Sequence, residues 1–277
     1  MAAPEIDFSF RRYVAGRTGA AAARAREGAA YAYAGDAKVR ARLDAIRPVT
    51  LAVEATLRRW QAVEKPLMLA SAVKVSQAQF ARVFALAARC AETLRVPVPA
   101  VYVSSAPAFV PDVGAHVLGT TDDPAIVLGG SAVDRLHDAD LLATVLGRAC
   151  GQIQNDHTRY LTALHFLRHA DSLFVRWTAK PATLALQAWV RRADVTGDRA
   201  GLLCARDLDA ALRAVAQLET DHPHPDASKR AQALRIFAET TYFRSMMAAS
   251  EGAAPATAGI TKEECDARVS DLFGVLG

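Results

Sequence analysis

Little in this 277-residue chain is aromatic, and less of it is cysteine. Aromatic residues make up 7% and alanine is abundant, a composition suited to closely packed helices. The four cysteines, Cys90, Cys150, Cys204 and Cys265, are scattered and form no C-x-x-C pair. That excludes a disulfide scaffold and a thiolate metal knuckle, and leaves buried thiols in a reducing compartment as the expectation. Neither charge sign dominates. Lys and Arg number 33 against 29 Asp and Glu, a formal surplus of +4, too small and too dispersed for a nucleic-acid surface. No long apolar run occurs. The most apolar stretch, residues 160–190, is interrupted by Arg168, Asp171, Arg176 and Lys180, so no membrane span is expected. The opening MAAPEIDFSFRRYVAG has no apolar core of a secretory leader, and a cytoplasmic location is expected.

What is present is a globular pattern with 52% hydrophobic residues. Most of it reads as helix around one small sheet. A helix is expected over residues 18–33, and a second one capped by Asp36 that Pro48 kinks or splits. The Lys65-Pro66 pair is expected to end that helical region. Val73-Lys74-Val75 reads as a short strand, after which Ser76 caps a helix with Phe80, Val83, Phe84 and Ala87 on its apolar face. Pro97 and Pro99 lead into a strand at Val101-Tyr102-Val103, and Ala125-Ile126-Val127-Leu128 forms another. Between them, Ala115-His116-Val117-Leu118 reads as the edge strand of the sheet. Residues 138–157 read DADLLATVLGRACGQIQNDH. Leu141, Leu142, Val145, Leu146, Ala149 and Ile153 fall at helical period, with Asp138 as N-cap. Residues 160–190 are expected to form a helical hairpin whose second arm begins at Pro181, with Tyr160 and Trp189 as core anchors. Residues 251–259 read as a linker before an amphipathic helix over 261–276. The organisation is then a helical region over 1–69, a core over 70–250, and a linker with a last helix over 251–277.

Two stretches carry a resemblance. Arg148-Ala149-Cys150-Gly151-Gln152 lies on the helix after the strands, and residues 188–201, AWVRRADVTGDRAG, follow about 40 residues later. A segment His222-Pro223-His224-Pro225, followed by Lys229 and Arg230, comes next. In this order and separation they resemble the HtpX-like and CAAX-prenyl-protease-like gluzincin metallopeptidases over residues 70–245. The resemblance implies an α+β, mainly helical zincin-like domain with one small mixed sheet. In that family an H-E-x-x-H helix offers two histidines one turn apart to zinc, with the glutamate as general base. Arg148, Ala149 and Gln152 stand at those three positions. Asp194 stands where the third ligand, a glutamate, belongs, and Asp198 where a supporting aspartate does. In membrane-bound members the region matching residues 160–190 holds spanning helices.

A protonated guanidinium has no lone pair to give a metal, an alanine activates no water, and a glutamine carbonyl is a weak zinc ligand. The resemblance therefore implies a metal-free, catalytically inactive member that needs no cofactor. Its frame implies a cleft between Arg148, Gln152, Asp194 and Asp198 and the edge strand Ala115, His116 and Val117, a place to hold a protein or peptide partner by strand addition. Scaffolding, regulation of an active homologue and self-association into a homo-oligomer all fit that frame. Arg148 is expected to pair with Asp194, with Asp198 and Gln152 completing the hydrogen bonds. A hydrolase with a relocated metal is the alternative: His165 and His169 stand at i and i+4, with His157 two turns earlier near the same face. A packed or solvated histidine pair explains the same spacing. Cys150 reads as a core thiol, His222 and His224 as parts of a turn before a helix from Asp226, and Arg191 and Arg192 as a solvated or hydrogen-bonding face, not a nucleic-acid site.

Overall fold

The computed structural model describes residues 29–274 except 107, 110–113, 131–132, 134–137, 171, 173–176 and 222–225. The expected helix over 18–33 and the His222 and His224 turn lie largely or wholly outside the described residues. Residues 29–33, at the end of the former, are not helical.

Local rules set the first helices. Helix α1, Ala34–Ala45, gives way to α2, Arg47–Arg59, where Pro48 sits in the first turn and needs no amide partner. The break expected at Lys65-Pro66 does not occur. Trp60–Glu64 forms a π turn that carries the chain into α3, Lys65–Ser71. Pro66 has no N–H and its ring crowds the carbonyl of Ala62, and the widened turn, with the Lys65 amide bonded to the Trp60 carbonyl, absorbs both problems.

Four strands follow: β1 Ala72–Lys74, β2 Ala100–Ser104, β3 Ala115–Gly119 and β4 Pro124–Gly129, in the order β1-β2-β4-β3. β2 and β4 run parallel, with Val101 opposite Ile126, while β1 and β3 are antiparallel to their neighbours. The sheet is mixed and β3 is one of its edges, as expected. Between β1 and β2 lies α4, Ala81–Leu94. Ser76 does not cap it. The Ser76 hydroxyl accepts the Gln79 amide, and the helix begins after Phe80, which takes a left-handed conformation (φ 59°) and stays 40% exposed.

The helical layer then builds around α5, Ala139–Gln154, and α7, Lys180–Ala205, joined by α6, Thr158–Arg168. Asp138 caps α5 through the amides of Asp140 and Leu141. Helices α8 Leu208–Asp221, α9 Ala227–Ala238, α10 Thr241–Ser250 and α11 Lys262–Phe273 complete the described chain. Side-chain alternation along the strands serves two cores. Val101, Val103, Val117, Ile126 and Leu128 join the large core with α4 and α5, whereas Leu118 and Val127 join Trp60, Met68 and Phe109 on the other face. Tyr160 and Trp189 anchor a third cluster with α2.

Glycine sets the spacing of α5 against α7. A Cβ at Gly151 would lie 2.2 Å from Ala200 Cβ, and one at Gly147 2.5 Å from Cys204 Cβ. Gly197 and Gly201 answer from α7, where added methyls would meet Arg148 Cγ at 3.1 Å and the Thr144 carbonyl at 2.7 Å. Only hydrogen atoms fit at this crossing, so the two helices come close enough for short side chains of one to reach the other.

Asp36 is not a cap. It lies in the first turn of α1, buried, where its carboxylate accepts the Trp189 indole N–H (2.9 Å) and the Thr196 hydroxyl (2.8 Å) and pairs with His157 Nε2 (2.8 Å). Burial opposes its charge, but the charge and hydrogen bond of His157, with Thr196 and Trp189, hold its carboxyl below the ordinary value. One side chain thus ties α1 to α7 and to the start of α6.

Candidate functional site

The close crossing of α5 and α7 places Arg148 and Gln152 of α5 one turn apart beside Gly197 of α7. Asp194 and Asp198 are one turn apart on α7, before and after that glycine. The Arg148 guanidinium reaches both: Nη2 donates to Asp194 and Nη1 to Asp198. The expected pairing of Arg148 with Asp194 is present, and Asp198 shares it.

Gln152 does not complete the hydrogen bonds. It packs against Gly197, and the remaining arm comes from Arg230 on α9, whose Nε and Nη2 donate to Asp198 at 2.7 and 2.8 Å. Arg230 stands in the segment that follows His222-Pro223-His224-Pro225, but its bond to Asp198 was not expected, because 32 residues separate the two. Asp198 therefore receives two guanidiniums, one of them in a two-pronged geometry that suits a carboxylate. Burial pushes its carboxyl up, but the Arg230 and Arg148 charges together outweigh that and hold it below the ordinary value.

The group is packed. The Arg148 side chain is 16% exposed, Asp194 6%, Asp198 4% and Arg230 3%. Ala149 and Cys150 point into the large core, and burial raises the Cys150 thiol well above its ordinary value, so it is inert as a nucleophile.

These residues do not fit a zinc ion. Two of the three positions that match the H-E-x-x-H pattern offer a cation and an alanine, and the carboxylate at the third-ligand position is already bonded to a guanidinium. A divalent ion here would meet the positive charge of Arg148 at close range.

The histidines separate into two groups. His157 stands at the N-cap position of α6 without bonding to the helix amides and turns to Asp36, with its ring edge on Trp189 at 5.2 Å. It does not share a face with His165 and His169, whose rings lie 4.9 Å apart. Their neighbour is instead His116 of the edge strand, 4.8 Å from His165. Ring nitrogens in this group bond to backbone carbonyls: His165 Nε2 to Ala108 (2.7 Å), His169 Nδ1 to His165 (2.8 Å) and His116 Nδ1 to Phe109 (3.2 Å). Among the described residues, no group of three or more His, Cys, Asp or Glu is arranged to hold a metal ion.

Burial pushes the His165 imidazole down to about 4, despite its carbonyl partner. With the folded value lowered from 6.5, the unfolded chain takes the proton first, so this residue removes stability as pH falls from about 6.5 to about 4. Urea midpoints measured across that range should fall in the wild type and flatten in His165→Phe.

Other expected positions resolve as follows. Ala115, His116 and Val117 lie on the edge strand β3. At its far end Thr162 of α6 caps the strand, accepting the Gly119 amide and donating to the Gly119 carbonyl. Of the two readings of Arg191 and Arg192, the hydrogen-bonding one holds for Arg192, which is buried with Nη1 on the Ala188 carbonyl, while the half-exposed Arg191 faces Asp226 at 3.3 Å.

The model of peptidase family M48 matches residues 77–238, which take in strands β2 to β4, the α5–α7 crossing and Arg230. The plastoglobule-localized metallopeptidase 48 of the chloroplast of Arabidopsis thaliana is 32% identical over 143 residues, or 50% of this chain and 40% of the relative. The chain thus matches well under half the length of that relative. No solved structure matches it. Among the described residues, no helix is long and apolar enough to cross a membrane. With a mainly helical zincin-like fold and a family match spanning more than half of its length, this chain belongs to peptidase family M48.

Proposed function

We propose that this M48 member does not hydrolyse peptides and works by holding a protein or peptide partner, as a scaffold or regulator. The observation that carries this is Arg148: its guanidinium occupies the crossing of α5 and α7 and is bonded to Asp194 and Asp198. The position that would offer a lone pair to zinc offers a fixed positive charge, and its carboxylate neighbours are consumed in neutralising it. The frame around it is kept, including the glycine-spaced helices and the edge strand β3. The partner would add along β3 near Ala115, His116 and Val117, where main-chain pairing provides affinity without chemistry. The four cysteines are buried and unpaired, which supports a reducing compartment, and we assign the protein to the cytoplasm.

Hydrogen exchange on the intact protein, with and without an unfolded casein chain, tests this reading. Slower exchange of the amides of residues 115–117, with the casein mass unchanged after prolonged incubation with zinc, is the expected result. Casein cleavage, or binding that leaves these amides unprotected, would contradict it.

A further inference from the structure

One to two turns from the Arg148 cluster along α7, a cavity of about 170 Å³ opens between Ala188, Arg191 and Arg192, the start of α9 at Asp226 and Lys229, and the end of α11 at Phe273 and Gly274. That is far more room than one water needs. Its lining carries three cations and one carboxylate.

Two needs meet in it. The first is for an anion. Arg192 is buried, and its Nη1 bond to the Ala188 carbonyl leaves the rest of its donor fork. Lys229 stands beside Phe273. The start of α9 is uncapped, because Asp226 occupies the N-cap position without accepting from the helix amides. The second need is for a hydrogen-bond donor. Asp226 is 6% exposed, and its Oδ2 has no hydrogen-bond partner although Arg191 Nε stands 3.3 Å away. A buried carboxylate oxygen without a donor is costly.

An oxyanion that keeps a proton satisfies both. Hydrogen phosphate accepts from Arg192, Lys229 and the helix amides through its unprotonated oxygens, and donates its P–OH to Asp226. Sulfate has the same size and shape but no proton at neutral pH, so one of its oxygens would face the Asp226 carboxylate. We propose that this cavity binds inorganic hydrogen phosphate and uses Asp226 to select it over unprotonated oxyanions.

Calorimetric titration of the full chain at pH 7.5 with inorganic phosphate, sulfate and methyl phosphate tests this. At that pH the ester has lost its second proton. Phosphate should bind about 10- to 100-fold tighter than either competitor, the span of one hydrogen bond to a charged group. Asp226→Asn, whose amide N–H₂ donates to any oxyanion, should erase the gap by raising sulfate binding. Equal binding of phosphate and sulfate, tight binding of methyl phosphate, or binding of none of them would overturn the proposal. The wild-type comparison decides the matter even if the variant misfolds.

Discussion

Replacing Asp198 with alanine should lower the unfolding free energy by about 3–5 kcal/mol, the cost of removing one partner from a buried ion pair. Arg230 would lose both of its bonds to Asp198, and at 3% exposure it has little access to water. Arg148 would keep Asp194. The loss is a large part of the ~5–15 kcal/mol that holds a typical domain folded, so the variant should unfold at much lower urea. Arg148→Met should cost less, because Asp198 retains Arg230. The same carboxylate makes the fold acid-sensitive. Its folded value lies below the ordinary 3.8, so its contribution is complete above that value and is lost as pH falls through the folded one. Asp36 has the same sign and the same window. Urea unfolding followed by circular dichroism from pH 7 to pH 3 should show a steep loss below about pH 4, shallower in Asp198→Asn if that variant is stable enough to follow.

Asp266→Ala should have an effect of similar size, on the order of 3–5 kcal/mol. Arg199 of α7 is 1% exposed, and its Nη1 donates to Asp266 of α11 at 2.7 Å and to the Tyr31 carbonyl at 3.1 Å. Phe237 lies under the guanidinium, 5.0 Å from ring centre to Cζ. Asp266 also accepts the Ala34 amide at 3.2 Å and the Lys262 ammonium at 3.1 Å, so its loss releases both α11 and the start of α1. The double variant Arg199→Met, Asp266→Leu removes both charges together and should recover most of the loss, since a buried pair replaced by apolar groups is often neutral. Chemical denaturation of the single and double variants measures this. Additive losses would mean that Arg199 is held by its other contacts.

Much of the frame was legible because it follows local rules. Asp138 caps α5 because a carboxylate ahead of an apolar helical period meets free amides there. Pro48 splits α1 from α2, and β-branched runs mark β2 and β4. What was missed was decided by partners far away in sequence. Asp36 has the residue type and position of a cap, but Trp189, Thr196 and His157 claim its carboxylate. His157 shares a helix with His165, yet its position at the helix start turns it toward Asp36. Pro66 reads as a terminator by local steric rules, and the π turn is a remedy those rules do not anticipate. At the site, the pairing of Arg148 with Asp194 followed from their opposite charges at neighbouring positions of the family pattern, whereas the bond of Arg230 to Asp198 was not readable. A usable signal was overlooked: Gly147 and Gly151, and again Gly197 and Gly201, stand four apart on the two helices that cross. That repeat marks a close helix contact, and with it the place where side chains of α5 and α7 must meet.

Metal content by mass spectrometry, on protein purified without a histidine tag and after incubation with zinc, tests the central claim most directly. Less than about a tenth of an equivalent of zinc is expected, since a catalytic zincin keeps its metal at full occupancy. Near-stoichiometric zinc that is lost on Asp194→Ala would contradict it, because the α5–α7 crossing would then be a metal centre despite Arg148.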